Sequence, residues 1–195
     1  MRFLGFYDYT VILTYTSLIS AVAGIFCTTN DRHSAAVVCL MICGFCDAFD
    51  GTVARTKKNR TEDEKAFGIQ IDSLCDAVSF GVFPAVMSYC MGLKGFPGIA
   101  IAATYCLCAV IRLAFFNVLE AKRQQTEAGS RKTYRGLPVT TIALIYPLMY
   151  GLQIFLPAAF FRILLHGVMA VTAFLFVLDF SVKKPDMQKL FSKTR

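Results

Sequence analysis

Six apolar stretches, each near or above the roughly 20 residues a helix needs to cross a hydrocarbon core of about 30 Å, run through this chain of 195 residues. They lie near Tyr9–Phe26, Ser34–Ala54, Phe67–Met91, Phe96–Leu119, Leu137–Leu156 and Phe161–Phe180. Lipid offers no hydrogen bonds to an open sheet edge, so such stretches are expected to be helices and not strands. Charged residues make up 17% of the chain, against about 25% in an ordinary soluble domain. The expected fold is all-α: an integral membrane bundle of six transmembrane helices over residues 1–182, with a basic tail over 183–195. No internal repeat or low-complexity tract interrupts it.

The formal net charge is +7, and the distribution of that charge matters more than its size. Arg55, Lys57, Lys58, Arg60 and Lys65 follow the second stretch, and Lys122, Arg123, Arg131, Lys132 and Arg135 follow the fourth. Lys183, Lys184, Lys189, Lys193 and Arg195 follow the sixth, whereas the alternate loops hold Arg32, Lys94 and Arg162 alone. This asymmetry predicts both termini on the cytoplasmic side. It also suits contact with anionic membrane lipids and not nucleic acid. Ala21-Val22-Ala23 resembles a signal-peptidase site after an apolar run, but Asp8 and the sparse early positive charge favour a retained first helix.

Eight cysteines could suggest disulfides or zinc. Cys39, Cys43, Cys75, Cys106 and Cys108 sit within apolar runs, where a thiol packs as a small hydrophobe. Cys43 and Cys46 form a CxxC, yet no second pair or histidine completes a zinc site. His33 and His166 are isolated.

Four aspartates stand where membrane segments should have almost none: Asp47, Asp50, Asp72 and Asp76. An ionisable group inside a span is costly unless something compensates it, so it points to function. On a helix, Asp47 and Asp50 lie about 60° apart and Asp72 and Asp76 about 40° apart, so each pair shares a face. If the second and third helices form an antiparallel hairpin, the pairs face each other. An all-carboxylate set suits Mg²⁺, Mn²⁺ or Ca²⁺. Gly51 and Ala54 remove bulk beside the acids, and Arg55 offers a planar fork suited to phosphate. Gly68, one turn before Asp72, is expected to open the opposite wall, giving a diphosphate pocket at the membrane surface. The basic stretch Lys57–Arg60 is expected to act as an orientation signal and not as part of the site.

The run Asp47-x2-Asp50-Gly51-x2-Ala54-Arg55-x12-Gly68-x3-Asp72-x3-Asp76 resembles the signature of the CDP-alcohol phosphatidyltransferase family at all eight fixed positions. The resemblance implies a six-helix membrane enzyme, usually a homodimer, that binds CDP-diacylglycerol through Asp50, Gly51, Ala54, Arg55 and Gly68. It further implies two divalent cations, Mg²⁺ or Mn²⁺, held by Asp47, Asp50 and Asp72 with Asp76 at the second ion's edge. Asp76 would also be the general base.

A second set of motifs resembles the serine-accepting branch of that family, the CDP-diacylglycerol–serine O-phosphatidyltransferases. These are Asp72-Ser-Leu-Cys-Asp76-Ala-Val-Ser79-Phe-Gly81-Val-Phe-Pro84, then Arg112-Leu-Ala-Phe-Phe-Asn117, and Gly136-Leu-Pro138. The branch usually has a second arginine where Phe115 stands and often an asparagine where Thr14 aligns. The implied reaction transfers the phosphatidyl group from CDP-diacylglycerol to L-serine and releases CMP at the cytoplasmic face of the cell membrane. Arg112, helped by Arg135 and Lys132, is expected to meet the serine carboxylate or a lipid phosphate; snorkelling to the headgroups is its alternative. Two rivals remain. A sister enzyme would accept glycerol 3-phosphate or inositol phosphate, and a divalent-cation transporter would place its acids nearer the midplane.

Overall fold

The computed structural model of the chain describes residues 5–7, 9–54, 56–57, 60–126 and 133–183. A 3-10 turn at Tyr9–Val11 leads into α1 (Ile12–Thr29), and a tight turn through Asp31, at φ 57°, starts α2 (His33–Ala54). Arg32 N–H closes that turn by donating to the Cys27 carbonyl at 2.9 Å. α3 (Glu62–Asp76) passes through a π-helical turn (Ala77–Val82) into α4 (Phe83–Met91). α5 (Gly95–Thr126), α6 (Ile142–Leu152) and α7 (Ala158–Val177) complete the α-helices among the described residues.

α1 packs along α2 and against α4, α5 packs along α7, and α6 lies on α2. Leu40, Phe80, Phe83, Met87, Tyr105, Ile142, Tyr146, Leu165 and Phe176 fill the centre. Large apolar side chains also cover the outside, among them Ile19, Phe26, Phe45, Leu148 and Ile163. In water such a surface would be an association hazard, whereas lipid is its natural solvent.

Among the described residues, five helical stretches are long and apolar enough to span a membrane: Tyr9–Thr29, His33–Ala54, Glu62–Met91, Gly95–Lys122 and Ala158–Val177. The expected fifth span is shorter than its apolar run. Only Val139–Leu152 is helical, about 21 Å at 1.5 Å per residue. At one end Pro138 is extended (φ −60°, ψ 139°), and a 3-10 turn at Val139–Thr141 precedes α6. At the other, Gln153, Ile154 and Phe155 donate to carbonyls three residues back, so the helix unwinds into turns.

Two further departures concern the ends of elements. α3 begins at Glu62, five residues before the apolar run, because Thr61 and Glu64 form a reciprocal capping box. A short antiparallel pair, β1 (Thr133–Arg135) with β2 (Ser181–Lys183), joins the approach to α6 with the exit from α7. Thr133 stands opposite Lys183 and Arg135 opposite Ser181. The two strands lie outside the spanning helices, where the argument against open sheet edges does not apply.

The π turn follows Asp76 directly. There Phe83 N–H reaches back five residues to the Val78 carbonyl, and such bulges leave carbonyls that need other donors. Tyr105 Oη donates to the Phe80 carbonyl at 2.7 Å and Cys106 Sγ to the Gly81 carbonyl at 3.4 Å, both from α5. A second buried link, at 3.3 Å, joins the hydroxyls of Ser17 on α1 and Ser79 in the π turn. All eight cysteines are free thiols, with Cys43, Cys46 and Cys75 buried.

Candidate active site

The last turns of α2 carry Asp47 and Asp50, and the last turns of α3 carry Asp72 and Asp76. The carboxyl groups of Asp50 and Asp72 come within hydrogen-bonding range of each other across the two helices. Asp76 is 8% exposed and faces the charges of Asp47, Asp72 and Asp50. The two same-face pairs expected from helical spacing therefore meet.

Two hydroxyl groups attach this acid group to its surroundings. Thr140, in the turn before α6, brings its side chain within hydrogen-bonding range of Asp47. The close approach depends on Gly44, since a Cβ there would stand 2.6 Å from that of Ala143 on α6. Ser73, next to Asp72, donates to Asn117 Oδ1 on α5 at 2.8 Å. Neither Thr140 nor Ser73 stands out in the sequence. The available signals were a hydroxyl two residues after Gly136-Leu-Pro138 and a serine between the two acids of α3.

Gly51 and Ala54 lie at the end of α2, where the Gly51 backbone N–H is within hydrogen-bonding range of Asp50. Gly68 does not face an open wall. The guanidinium of Arg60 lies on it, at the place a Cβ would take. Arg60, expected to serve as an orientation signal alone, is thus in contact with a residue of the signature.

Arg112 is 7% exposed, so it does not snorkel to the surface. Its Nε donates to the Leu137 carbonyl at 3.2 Å, and its guanidinium lies 6.0 Å from the centre of the Phe116 ring. Gly136, at φ 72°, sits beside it and donates its N–H to the Phe180 carbonyl at 2.7 Å. The expected helper Arg135 contributes its backbone to β1. Arg55, Lys132 and the tail beyond Lys183 lie outside the described residues.

Among the described residues, no three His, Cys, Asp or Glu side chains converge into a ready-made metal nest. The acids form facing pairs instead. The donor set nevertheless fits a hard divalent cation, for all its members are carboxylates. One oxygen, Asp72 Oδ1, is buried without any hydrogen-bond partner. A buried acceptor left open in this way is costly and calls for a partner from outside the chain.

Comparison with known proteins bears on the same residues. The sequence profile of the CDP-alcohol phosphatidyltransferase family matches residues 10–180. The chain is 35% identical over 151 residues to the CDP-diacylglycerol–serine O-phosphatidyltransferase of Saccharomyces cerevisiae, covering 76% of this chain and 50% of the relative. It is 30% identical over 161 residues to the archaetidylserine synthase of Methanothermobacter thermautotrophicus, covering 81% of this chain and 65% of the relative. Against the CDP-diacylglycerol–serine O-phosphatidyltransferase of Bacillus subtilis it is 34% identical over 119 residues, 60% of this chain and 64% of the relative. The chain thus spans between half and two thirds of the length of these relatives. No solved structure matches it. The profile covers all four aspartates and the spans but for Tyr9, and the chain belongs to the CDP-alcohol phosphatidyltransferase family.

Proposed function

We propose that the chain is a CDP-diacylglycerol–serine O-phosphatidyltransferase of phospholipid biosynthesis, with its catalytic centre at the junction of α2 and α3. The observation that carries this reading is that Asp47 and Asp50 on α2 face Asp72 and Asp76 on α3 inside an apolar bundle, with Asp50 and Asp72 in hydrogen-bonding range. The serine acceptor is supported by the relatives in Saccharomyces cerevisiae and Bacillus subtilis, both CDP-diacylglycerol–serine O-phosphatidyltransferases.

In this reading the hydroxyl oxygen of L-serine attacks the phosphorus that bears diacylglycerol. The new P–O bond forms as the P–O bond to CMP breaks, CMP leaves, and the hydroxyl proton passes to Asp76. A carboxylate is a weak base towards an alcohol, so proton uptake must coincide with attack at phosphorus. Asp47, Asp50 and Asp72, with Asp76 at the edge, would hold Mg²⁺ or Mn²⁺, which when bound offsets the charge of the diphosphate and of the reacting oxygens. No serine, cysteine or histidine nucleophile is required.

In this reading Gly51, Ala54 and Gly68 border the nucleotide end of CDP-diacylglycerol, and the resemblance to the family signature makes Arg55 its phosphate partner. Arg112 and the Ser73–Asn117 pair belong to the acceptor side, and Arg135 and Lys132 are its further candidate cations. On the same reading the short helix Val139–Leu152 is the sixth crossing, and the excess of basic residues in alternate loops supports termini and acids on the cytoplasmic face. The working unit is a homodimer.

The test is an acceptor comparison on purified protein in detergent with CDP-diacylglycerol and Mn²⁺. Labelled serine should give phosphatidylserine and an equal amount of CMP. Release of CMP with glycerol 3-phosphate or inositol phosphate but not with serine would transfer the chain to a sister activity. No CMP with any alcohol would remove the enzyme reading.

A further inference from the structure

Arg60 sits in the loop between α2 and α3, and its guanidinium occupies the gap that Gly68 leaves on the face of α3. A Cβ on Gly68 would stand 2.6 Å from Arg60 Nη2, too close to be tolerated without displacing the guanidinium. Nη2 donates to the Glu64 carbonyl at 3.1 Å. Arg60 Nε is buried and has no hydrogen-bond partner.

The loop around Arg60 is held from both sides by one acid. The carboxylate of Glu64 accepts from Lys57 Nζ and from the Thr61 backbone N–H, each at 2.9 Å. Thr61 Oγ1 in turn accepts the Glu64 backbone N–H at 3.2 Å. Glu64 is therefore already engaged by Lys57 and Thr61. Glu64, Gly68 and Asp72 are spaced by four, on successive turns of one helix face. The guanidinium thus lies on the turn next to Asp72, roughly 6 Å along the axis, where Oδ1 also lacks a partner.

A buried N–H without an acceptor is unfavourable, and a planar guanidinium fork is matched best by a phosphate oxygen pair. We propose that Arg60 is a binding residue for the diphosphate of CDP-diacylglycerol, and that position 68 is glycine because guanidinium and phosphate share that ledge. This deepens the proposed function and rests on it. It assigns the α2–α3 loop a part in substrate recognition in addition to its positive charge.

The test uses the full chain in neutral detergent with Mn²⁺, and soluble CDP as the calorimetric probe. Arg60→Ala should raise the Kd for CDP about tenfold or more, as expected for loss of a charge-assisted hydrogen bond, with Arg60→Lys in between. The KM for CDP-diacylglycerol should rise with it while the KM for serine stays within twofold. Lys65→Ala removes a charge from the same helix end, where Lys65 pairs with Glu62 at 2.7 Å, and should leave CDP affinity within twofold. Gly68→Ala should weaken CDP binding as well, and the double variant should show less than the product of the two single effects. That cycle also decides the matter if Arg60→Ala lowers yield. CDP affinity unchanged in Arg60→Ala, or an equal loss in Lys65→Ala, would overturn the proposal while leaving the function intact. Wild-type protein that binds CDP but ignores serine would overturn the acceptor reading and leave Arg60 in place. Wild-type protein that does not bind CDP would overturn both.

Discussion

The acid junction of α2 and α3 and the Arg112 corner of α5 and α6 both carry charge into an apolar bundle, but they compensate it differently. At the corner the chain supplies its own partners: Arg112 donates to the Leu137 carbonyl, and Gly136 beside it donates to the Phe180 carbonyl. At the junction, like charges face each other and Asp72 Oδ1 and Arg60 Nε are left without partners. Buried polar groups are normally satisfied, and an intramembrane charge is unfavourable by several kcal/mol if it is not. The corner is held by its own backbone, whatever further contact Arg112 makes. The junction leaves two buried polar atoms open.

The comparison can be broken most sharply by substitutions that affect one region's function and the other's stability. Asp72→Asn should have the largest effect: turnover should fall by about 10²- to 10⁴-fold, as for loss of several kcal/mol of charge stabilisation. Its melting temperature in detergent should hold or rise, since one of the facing charges is gone. A drop in melting temperature would show the acids to be structural.

Arg112→Ala should do the reverse in balance. Losing a hydrogen bond from a charged donor should cost about 1.5–3 kcal/mol of stability, read as a lower melting temperature. The KM for serine should rise about tenfold, the same range expressed as affinity, and more than the KM for CDP-diacylglycerol. Equal changes in both KM values would assign Arg112 to the architecture alone.

Tyr105→Phe leaves the Phe80 carbonyl of the π turn without its donor, which should cost about 1–3 kcal/mol of stability. Because that turn follows Asp76, kcat should fall modestly while both KM values hold. Ser73→Ala removes the bond to Asn117 and should cost least, about 0.5–1.5 kcal/mol, with a small rise in the serine KM. A larger effect for Ser73→Ala than for Arg112→Ala would invert the proposed acceptor side.

Much of this was legible from local pattern. Apolar run length located the helices, and the i, i+3 and i, i+4 spacings of the aspartates told which faces would meet. The shortened α6 was not legible, because Leu137–Leu156 is apolar throughout and only the geometry at Pro138 and the turns after Leu152 trim it. The β1–β2 pair joins residues almost 50 positions apart, a distance over which periodicity carries no information. The same limit hid Thr140 beside Asp47, whereas Arg60, only eight positions from Gly68, was hidden because it lies in a loop where helical spacing does not apply. A charge in a basic loop looks alike whether it orients the chain or touches a ligand, and only the neighbour it packs on separates the two.

The most direct test of the account is a paired measurement on Asp76→Asn. Binding of CDP-diacylglycerol should stay within a few-fold of wild type, while serine-dependent CMP release should fall by about 10²- to 10⁴-fold, the usual contribution of a positioned general base. Turnover near the wild-type rate in Asp76→Asn would contradict the assignment of proton transfer to the junction of α2 and α3.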